Sequence, residues 1–320
     1  MKPSPAFSIN SDDMKIRETK AAEYKDIFGR HPHIYNSAEF SELNRYKADR
    51  LYYLLFEDSK TRFGIVLGDD GERLLSPFSA PFGGFSTRKH QSVMLTDEAA
   101  RLLKSFGESL HKKVIVTLPP TIYEASQPVR SISSLSREGR IRHIDINYHF
   151  DTTRFPDYED IIERNARKNL HKALKEPFAF THIRDNDDEG IIRVYNVIKA
   201  NREEHGYPLR MSAEDVLMTV KTIPADFFIL THSGHDVAAA QVFHVADDIC
   251  QVIYWGNIGS YNSLRPMNIL AYRIFGFYHD KGVRILDIGP STEHGTPNYG
   301  LCDFKESIGC STSCKFSFEL

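Results

Sequence analysis

The sequence predicts a mixed α/β (α+β) protein of two successive domains, and three observations carry that prediction. The chain has 320 residues, against roughly 100–200 residues for a typical domain. Helical and strand patterns follow one another in an order that occurs twice, in a shorter version over residues 1–151 and a longer one over 152–320. The stretch Cys250–Gly309 reads as strand, polar loop, helix, strand, glycine-rich loop and short amphipathic end, a β-α-β unit around which the second half is arranged.

Bulk composition narrows the function classes. Hydrophobic residues make up 41% and charged residues 26% of the chain, ordinary for a globular protein with room for large cores. The formal net charge of -3 excludes global steering toward DNA or a membrane surface and leaves only a local basic patch open. The cysteines Cys250, Cys302, Cys310 and Cys314 have no zinc-type spacing with each other or with histidines, so free thiols in a reducing compartment and no metal are expected. Met1–Asp13 lacks the apolar core of a signal peptide, and no apolar run approaches about 18 residues. The expectation is a cytoplasmic protein without an integral membrane segment.

In the first half, Met1–Asp13 reads as a frayed end or peripheral strand. Lys20–Phe28 and Ser37–Arg45 read as short helices, the second with Ser37 as N-cap and Phe40 and Leu43 on one face. Arg50–Glu57 and Thr61–Leu67 form a strand pair, and Gly68–Gly71 is a turn before a strand at Glu72–Ser76. Pro77–Phe85 (PFSAPFGGF) is either a loop lining a cleft or a tight turn whose phenylalanines plug the core. Thr96–His111 is an amphipathic helix, with Ala99, Leu102, Leu103, Phe106 and Leu110 on one face. Lys113–Leu118 is a buried strand. Ser126–Arg140 shows no periodicity and reads as an irregular connection or short helix. Ile141–Phe150 alternates as a half-exposed strand.

In the second half, Asp157–Lys175 reads as one helix with an apolar face from Tyr158 to Leu174 and a basic later part. Phe178–Ile183 is a strand, Glu189–Glu204 a helix, and Ala213–Lys221 a helix capped by Ser212. Strands follow at Ala225–Leu230 and Asp236–Val245, around a Ser233–Gly234 turn. Gln251–Tyr254 is β-branched and aromatic, a strand. Pro266 suits a first helical position, Met267, Leu270, Ile274 and Phe277 make the apolar stripe, and Gly282 ends the helix. Val283–Ile288 is a short apolar strand. The start of the Pro266 helix, with Arg265 beside it, offers unpaired N–H groups to a phosphate or pyrophosphate; alternatively Arg265 is solvated and the unit is purely architectural.

Four segments of the second half resemble motifs of a known family. Ala166–Ala173 (ARKNLHKA) resembles a basic R-K-x-[IL]-x-K-A helix. Ser263–Leu270 (SLRPMNIL) resembles an S-P-x-x-L-L helix start. Lys281–Gly289 (KGVRILDIG) resembles K-G-x-x-x-F-D-F-G, and Asn298–Gly309 (NYGLCDFKESIG) resembles G-L-x-x-F-K-x-x-F-G. The chain thereby resembles the FemAB (FemABX) group of the GNAT N-acyltransferase superfamily, whose better-known members extend the peptidoglycan precursor from aminoacyl-tRNA. The resemblance implies two tandem GNAT-like domains, each a mixed, largely antiparallel sheet flanked by helices. The first domain (1–151) matches only in element order and in PFGGF, as a degenerate copy.

The implied activity is transfer of an acyl or aminoacyl group to an amine. No cofactor is tightly bound, and the carrier is acyl-CoA, acyl carrier protein or aminoacyl-tRNA. The acceptor is a small-molecule or lipid-linked amine, in cell-wall or envelope synthesis of a bacterium. Such chemistry needs preorganised donors for the oxyanion and a base for the amine. The resemblance puts Lys305 near the transferring group. Asp287, at a strand end, either orients or deprotonates the amine or caps the next loop. Tyr254 and Trp255 line the pocket or belong to the core. Arg265 holds a donor phosphate, and Arg167 and Lys168 contact an acceptor phosphate or carboxylate, or tRNA. His205 is a further base candidate, and Asn298 holds the final loop facing the substrate. The rival reading is a non-catalytic ligand-binding protein on the same scaffold.

Overall fold

The computed structural model describes residues 14–29 and 31–320. The expectations for Met1–Asp13 lie outside the described residues. Two compact units emerge: Met1–Pro119, Glu124–Arg142 and Ser317–Leu320 form the first, and Pro120–Tyr123 with His143–Phe316 form the second. The expected division after residue 151 falls where Asp151 accepts from Thr153 N to start a 3-10 turn.

The first unit contains β1 (Lys15–Thr19), α1 (Ala21–Ile27), α2 (Ala38–Leu43), β2 (Arg50–Glu57), β3 (Thr61–Asp69), β4 (Arg73–Ser76), α3 (Val93–Ser109), β5 (Lys113–Thr117) and α4 (Gln127–Glu138). Strands run in the order β1-β2-β3-β4-β5. They are antiparallel except for β4 and β5, which α3 joins as a parallel pair. Ser37 caps α2 through Phe40 N at 3.1 Å, and Ser92 caps α3, which therefore begins ahead of the expected Thr96. Of the two readings of residues 126–140 the helix holds: α4 spans Gln127–Glu138, and Arg140 already opens the next strand. The serines carry no apolar stripe, but the Glu124 carboxylate accepts from Ser126 N and Gln127 N at 2.7 and 2.9 Å and satisfies the first turn. Both readings of PFGGF hold: Phe82 is fully buried against His33 and Tyr35, while Gly83 and Phe85 border a cleft shared with Asn36, Gln127 and Ser131.

β6 (Arg140–Asp151) leads into the second unit. There follow α5 (Tyr158–Ile161), α6 (Arg164–Ala173), β7 (Phe178–Arg184), α7 (Asp188–His205), α8 (Ala213–Thr219), β8 (Ala225–His232), β9 (His235–Ala246), β10 (Ile249–Asn257), α9 (Pro266–Asp280), β11 (Ile285–Pro290), the small hairpin β12 (Thr292–Glu293) and β13 (Thr296–Pro297), α10 (Tyr299–Ser307) and β14 (Ser311–Glu319). Strand order is β14-β6-β11-β10-β9-β8-β7. Pairing is antiparallel from β10 through β9 and β8 to β7 and between β6 and β11, and parallel between β10 and β11. The two units thus repeat one topology, four antiparallel strands, a helix, then a strand parallel to the fourth. Both are mixed, largely antiparallel sheets flanked by helices, as the sequence predicts.

One predicted helix is two. Ile162 and Glu163 are extended between α5 and α6, and Glu163 N donates to Ser307 O at 2.9 Å instead of to its own helix. The apolar face survives the break, because Tyr158, Ile162, Ala166 and Leu170 all enter the same core. Leu270, Ile274 and Phe275 of α9 fill that core, with Phe275 stacked on Phe150 at 4.1 Å. At its far side Asp226 of β8 accepts from His182 Nε2, His244 Nε2 and Tyr278 OH at 2.6, 2.7 and 2.9 Å, joining β7, β8, β9 and α9. Among the described residues no helix is long and apolar enough to cross a membrane.

Candidate functional site

β10 and β11 are paired over only a short run, Ile249–Gln251 opposite Ile285–Asp287. Beyond it β10 stays with β9 as far as Asn257, and β11 stays with β6 as far as Pro290. The two strands therefore part inside the sheet, and Val252–Asn257 and Ile288–Pro290 are not paired with each other. Such a gap exposes strand edges whose polar groups need other partners.

Lys305 supplies one set. It sits in the last turn of α10, is 4% exposed, and its Nζ donates to the carbonyls of Ile288, Gly289 and Pro290 at 3.0, 2.9 and 3.1 Å. Successive carbonyls of a regular strand point in opposite directions. A register shift between Asp287 and Gly289, with Gly289 at φ 72°, breaks the alternation and lets consecutive carbonyls reach one ammonium. The ring of Tyr148 lies 5.3 Å from the same Nζ. Burial pulls the Lys305 ammonium down to about 8, only partly offset by nearby groups that include Asp287.

Asp287 corrects an expectation. It does not end its strand, it is fully buried, and its carboxylate is saturated. Oδ2 accepts from Tyr123 OH at 2.7 Å and Gln251 Nε2 at 2.6 Å, and Oδ1 from Asn147 Nδ2 at 2.8 Å and Gly289 N at 2.9 Å. Four donors fill the acceptor sites of a carboxylate. In this arrangement Asp287 has no lone pair to offer an amine, and it acts on the site by fixing the bulge that Lys305 reads.

The mouth of the opening is built by the last turn of α7. Asn201 Nδ2 donates to Asn257 O at 2.8 Å, and Glu204 accepts from Gly259 N at 2.8 Å. The helix approaches β10 so closely that a Cβ on Gly256 would lie 2.3 Å from Asn201 Oδ1. This contact sets the place of Arg202. Its guanidinium lies 5.1 Å from the Tyr254 ring and 5.8 Å from the Tyr207 ring, and its Nε is buried without a hydrogen-bond partner. Among the described residues no ion pair neutralises it, burial lowers its proton affinity, and its charge is felt at Lys305. Tyr207 OH accepts from Asn298 Nδ2 at 2.9 Å, and Asn298 Oδ1 caps α10 through Leu301 N. Tyr254 OH accepts from Arg210 N at 3.3 Å.

Of the residues expected from sequence, Tyr254, Asn298 and Lys305 are therefore drawn into one neighbourhood with Arg202 and Tyr207. Trp255 is half-buried with its ring edge-on to Phe304 of α10 at 6.0 Å, part of the core rim. His205 is exposed, stacks on Tyr207 at 5.7 Å, and gives its Nδ1 to Asn201 O at 2.8 Å. Arg265 is exposed at the start of α9 in the left-handed region, φ 62°, an unusual conformation for the residue before a proline. Arg167 and Lys168 lie on α6, where Arg167 Nε is buried without a hydrogen bond. No hydrogen bond or ion pair of their side chains joins these three to Arg202. Arg202 is not among the residues that the sequence points to, although Asn201–Pro208 (NREEHGYP) carries it three residues before His205. Nothing in the sequence marked it as unpaired.

No protein-family model matches the sequence, and no curated protein matches it. Solved structures do. The chain is similar to FemX, with TM-score 0.64 at 14% identity, covering 95% of this chain and 96% of that chain. It is similar to L-PGS from Bacillus licheniformis, with TM-score 0.59 at 13% identity, covering 94% of this chain and 92% of that one. A tandem GNAT protein from the clavulanic acid biosynthesis pathway gives TM-score 0.54 at 10% identity over 96% and 97% of the two chains. At these identities the likeness is one of fold: this chain has the two-domain GNAT-like fold seen in these structures.

Proposed function

We propose that the protein is an N-acyltransferase that moves an acyl or aminoacyl group from an activated carrier to an amine. The observation that supports this most is the parted β10–β11 pair, with the buried Lys305 ammonium on one side and the unpaired Arg202 guanidinium between Tyr207 and Tyr254 at the mouth. A slot in a sheet admits an extended substrate, and preorganised positive charge favours the oxyanion formed when the amine attacks the carbonyl. In this reading Arg202 takes a phosphate or carboxylate of one substrate, and Tyr254 and Tyr207 flank it. Lys305 acts through the field it sets up at the opening, with Asp287 holding the strand that carries its carbonyl partners.

The carrier we favour is aminoacyl-tRNA. Arg164, Lys168 and Lys172 are exposed along α6 and Lys175 just beyond its end, and among the described residues none of them has a carboxylate partner. The first three recur every fourth residue, about 6 Å apart along the helix axis, and such a row can follow a phosphate backbone. Acyl-CoA and acyl carrier protein are the other carriers to test. The acceptor is a small or lipid-linked amine of bacterial envelope synthesis, and the protein works in the cytoplasm.

A second reading, a non-catalytic binding protein, draws on the saturated state of Asp287 and on the three carbonyls that occupy Lys305. The two readings part in one assay. Purified protein is incubated with radiolabelled acetyl-CoA or charged tRNA and a panel of amines, alongside Arg202→Met and Lys305→Met. Transfer that drops about tenfold or more in both variants, as expected for lost charge-assisted contacts, supports the enzyme. Ligand binding without turnover for any carrier supports the binding protein. Affinity for tRNA that falls steeply with salt supports the α6 contact.

A further inference from the structure

The first unit has a cleft at the topological counterpart of the site in the second. Its parallel pair β4–β5 is joined by α3, as β10–β11 is joined by α9. In open α/β sheets ligands bind beyond the carboxyl ends of such strands. There the loop after β4 comes back beside β5, with Gly83 N donating to Thr117 O at 2.8 Å. Next to this contact lies a narrow cleft with about 20 Å³ of internal space, where one water needs about 10–15 Å³. Its walls include His33, Asn36, Phe85, Glu124, Gln127 and Ser131.

The charge of these walls is the reverse of that in the second unit. Lys305 and Arg202 are cations, whereas Glu124 is the charged side chain among the described residues that line the cleft, and no lysine or arginine joins it. Burial lowers the His33 imidazole to about 3, so it stands neutral. The Glu124 carboxylate accepts from two backbone groups, Ser126 N at 2.7 Å and Gln127 N at 2.9 Å. Four donors saturate Asp287, so two leave Glu124 with lone pairs to offer. Its charge is also only partly met. The first turn of α4 carries about half a positive charge, and His90 Nδ1 stands 3.6 Å away on an exposed side chain. The Glu124 side chain is itself 21% exposed, so a ligand from solvent reaches it.

We infer that this cleft is a binding site for the primary ammonium of a small organic amine, with Glu124 as its counterion. An ammonium is close to a water in size and brings three donors, and a hydrogen bond from it to a carboxylate is of the strong, charge-assisted kind. The side-chain oxygens of Asn36 and Ser131 are further acceptors on the same walls. A quaternary nitrogen fails by width and an anion by charge. The bound ammonium is not nucleophilic, so the cleft serves recognition and not the attack itself. The inference rests on the transferase reading only in taking this amine for the acceptor of that reaction.

The test is binding, so that it does not depend on turnover. Methylammonium, tetramethylammonium and acetate are titrated at constant ionic strength into the full chain, and saturation-transfer NMR reads the methyl protons of each probe. Saturable binding of methylammonium alone, weakened about tenfold or more by Glu124→Gln, supports the site. The glutamine keeps an acceptor for the first turn of α4 and removes only the charge. Equal binding by the variant, equal binding of tetramethylammonium, or no saturation by the parent, as for a cleft that holds only a water, overturns it. Should Glu124→Gln fail to fold, the backbone amide signals of Gln127 and Ser131 in the parent must shift with methylammonium and stay with tetramethylammonium, and unmoved signals again overturn the site. Glu124-dependent binding without transfer to any amine would leave the site standing and remove the transferase reading. Transfer with an unchanged KM for the amine in Glu124→Gln would keep the transferase and remove the cleft as its acceptor site.

Discussion

Gln251 and Asp287 are the last pair in register before β10 and β11 part, and they are also tied through their side chains, with Gln251 Nε2 donating to Asp287 Oδ2 at 2.6 Å. The apex of the opening is thus fastened by a hydrogen bond buried in both partners.

Replacing Asp287 by Ala should cost stability before it costs chemistry. Tyr123, Gln251, Asn147 and the Gly289 N–H would all lose their acceptor in a dry interior, and breaking such a buried network costs about 3–5 kcal/mol. Urea unfolding monitored by circular dichroism measures it. A variant with wild-type stability and no activity would instead restore Asp287 to the chemistry.

Lys305 predicts an alkaline limb. Its folded-state value, about 8, lies below the ordinary lysine value of 10.5. Between these pH values the unfolded chain binds more protons than the folded one, so this group makes stability rise with pH across that window. Activity that needs the ammonium should do the opposite and fall above about pH 8. The two opposed trends, both absent in Lys305→Met, separate this group from surface lysines. Parallel trends would argue against it.

Acid should weaken the protein in two steps. Burial lowers the His31 imidazole from 6.5 to about 4. The unfolded chain then takes a proton that the folded one refuses, and stability falls as pH drops from 6.5 toward 4. Asp226 is held at about 2 against 3.8, because hydrogen bonds from His244, Tyr278 and His182 outweigh its desolvation. Its contribution is present above 3.8 and is lost as pH falls toward 2. Urea midpoints at pH 7.5, 5.5 and 4.5 should decline for the parent and decline less for His31→Gln. Identical slopes would remove His31 from the account.

Gly256→Ala probes the seating of α7. The added Cβ would lie 2.3 Å from Asn201 Oδ1 and 3.0 Å from its Cβ, so the helix must move, at about 1–3 kcal/mol. The expected result is weaker anion binding at Arg202, read by calorimetry with phosphate, with circular dichroism unchanged. Unaltered binding would mean that Arg202 does not depend on this contact.

Much of the fold was legible because its local signals agree with its tertiary packing. Ser37 and Ser212 cap the helices expected of them, and Pro266 opens α9. One helix is read too long and one is left undecided, for identifiable reasons. The 3.6 period runs unbroken from Tyr158 to Leu170 although the helix does not, because the backbone of Glu163 pairs with Ser307 far along the chain. α4 gains its first-turn partners from Glu124, a residue outside the segment. At the site, Tyr254, Asn298 and Lys305 were readable as types at strand and helix ends. The surroundings of Asp287 and Arg202 were not, since both follow from how many partners surround the side chain. A count of that kind exists only after folding.

The parting of β10 from β11 also carries a hazard that Lys305 answers. Two strand edges inside one sheet are a template on which a stray segment of another chain could pair and start aggregation. An ammonium holding the carbonyls of Ile288, Gly289 and Pro290 removes the acceptors that such a strand would need. The lysine thus leaves fewer acceptors on the β11 side of the opening for a stray strand to pair with.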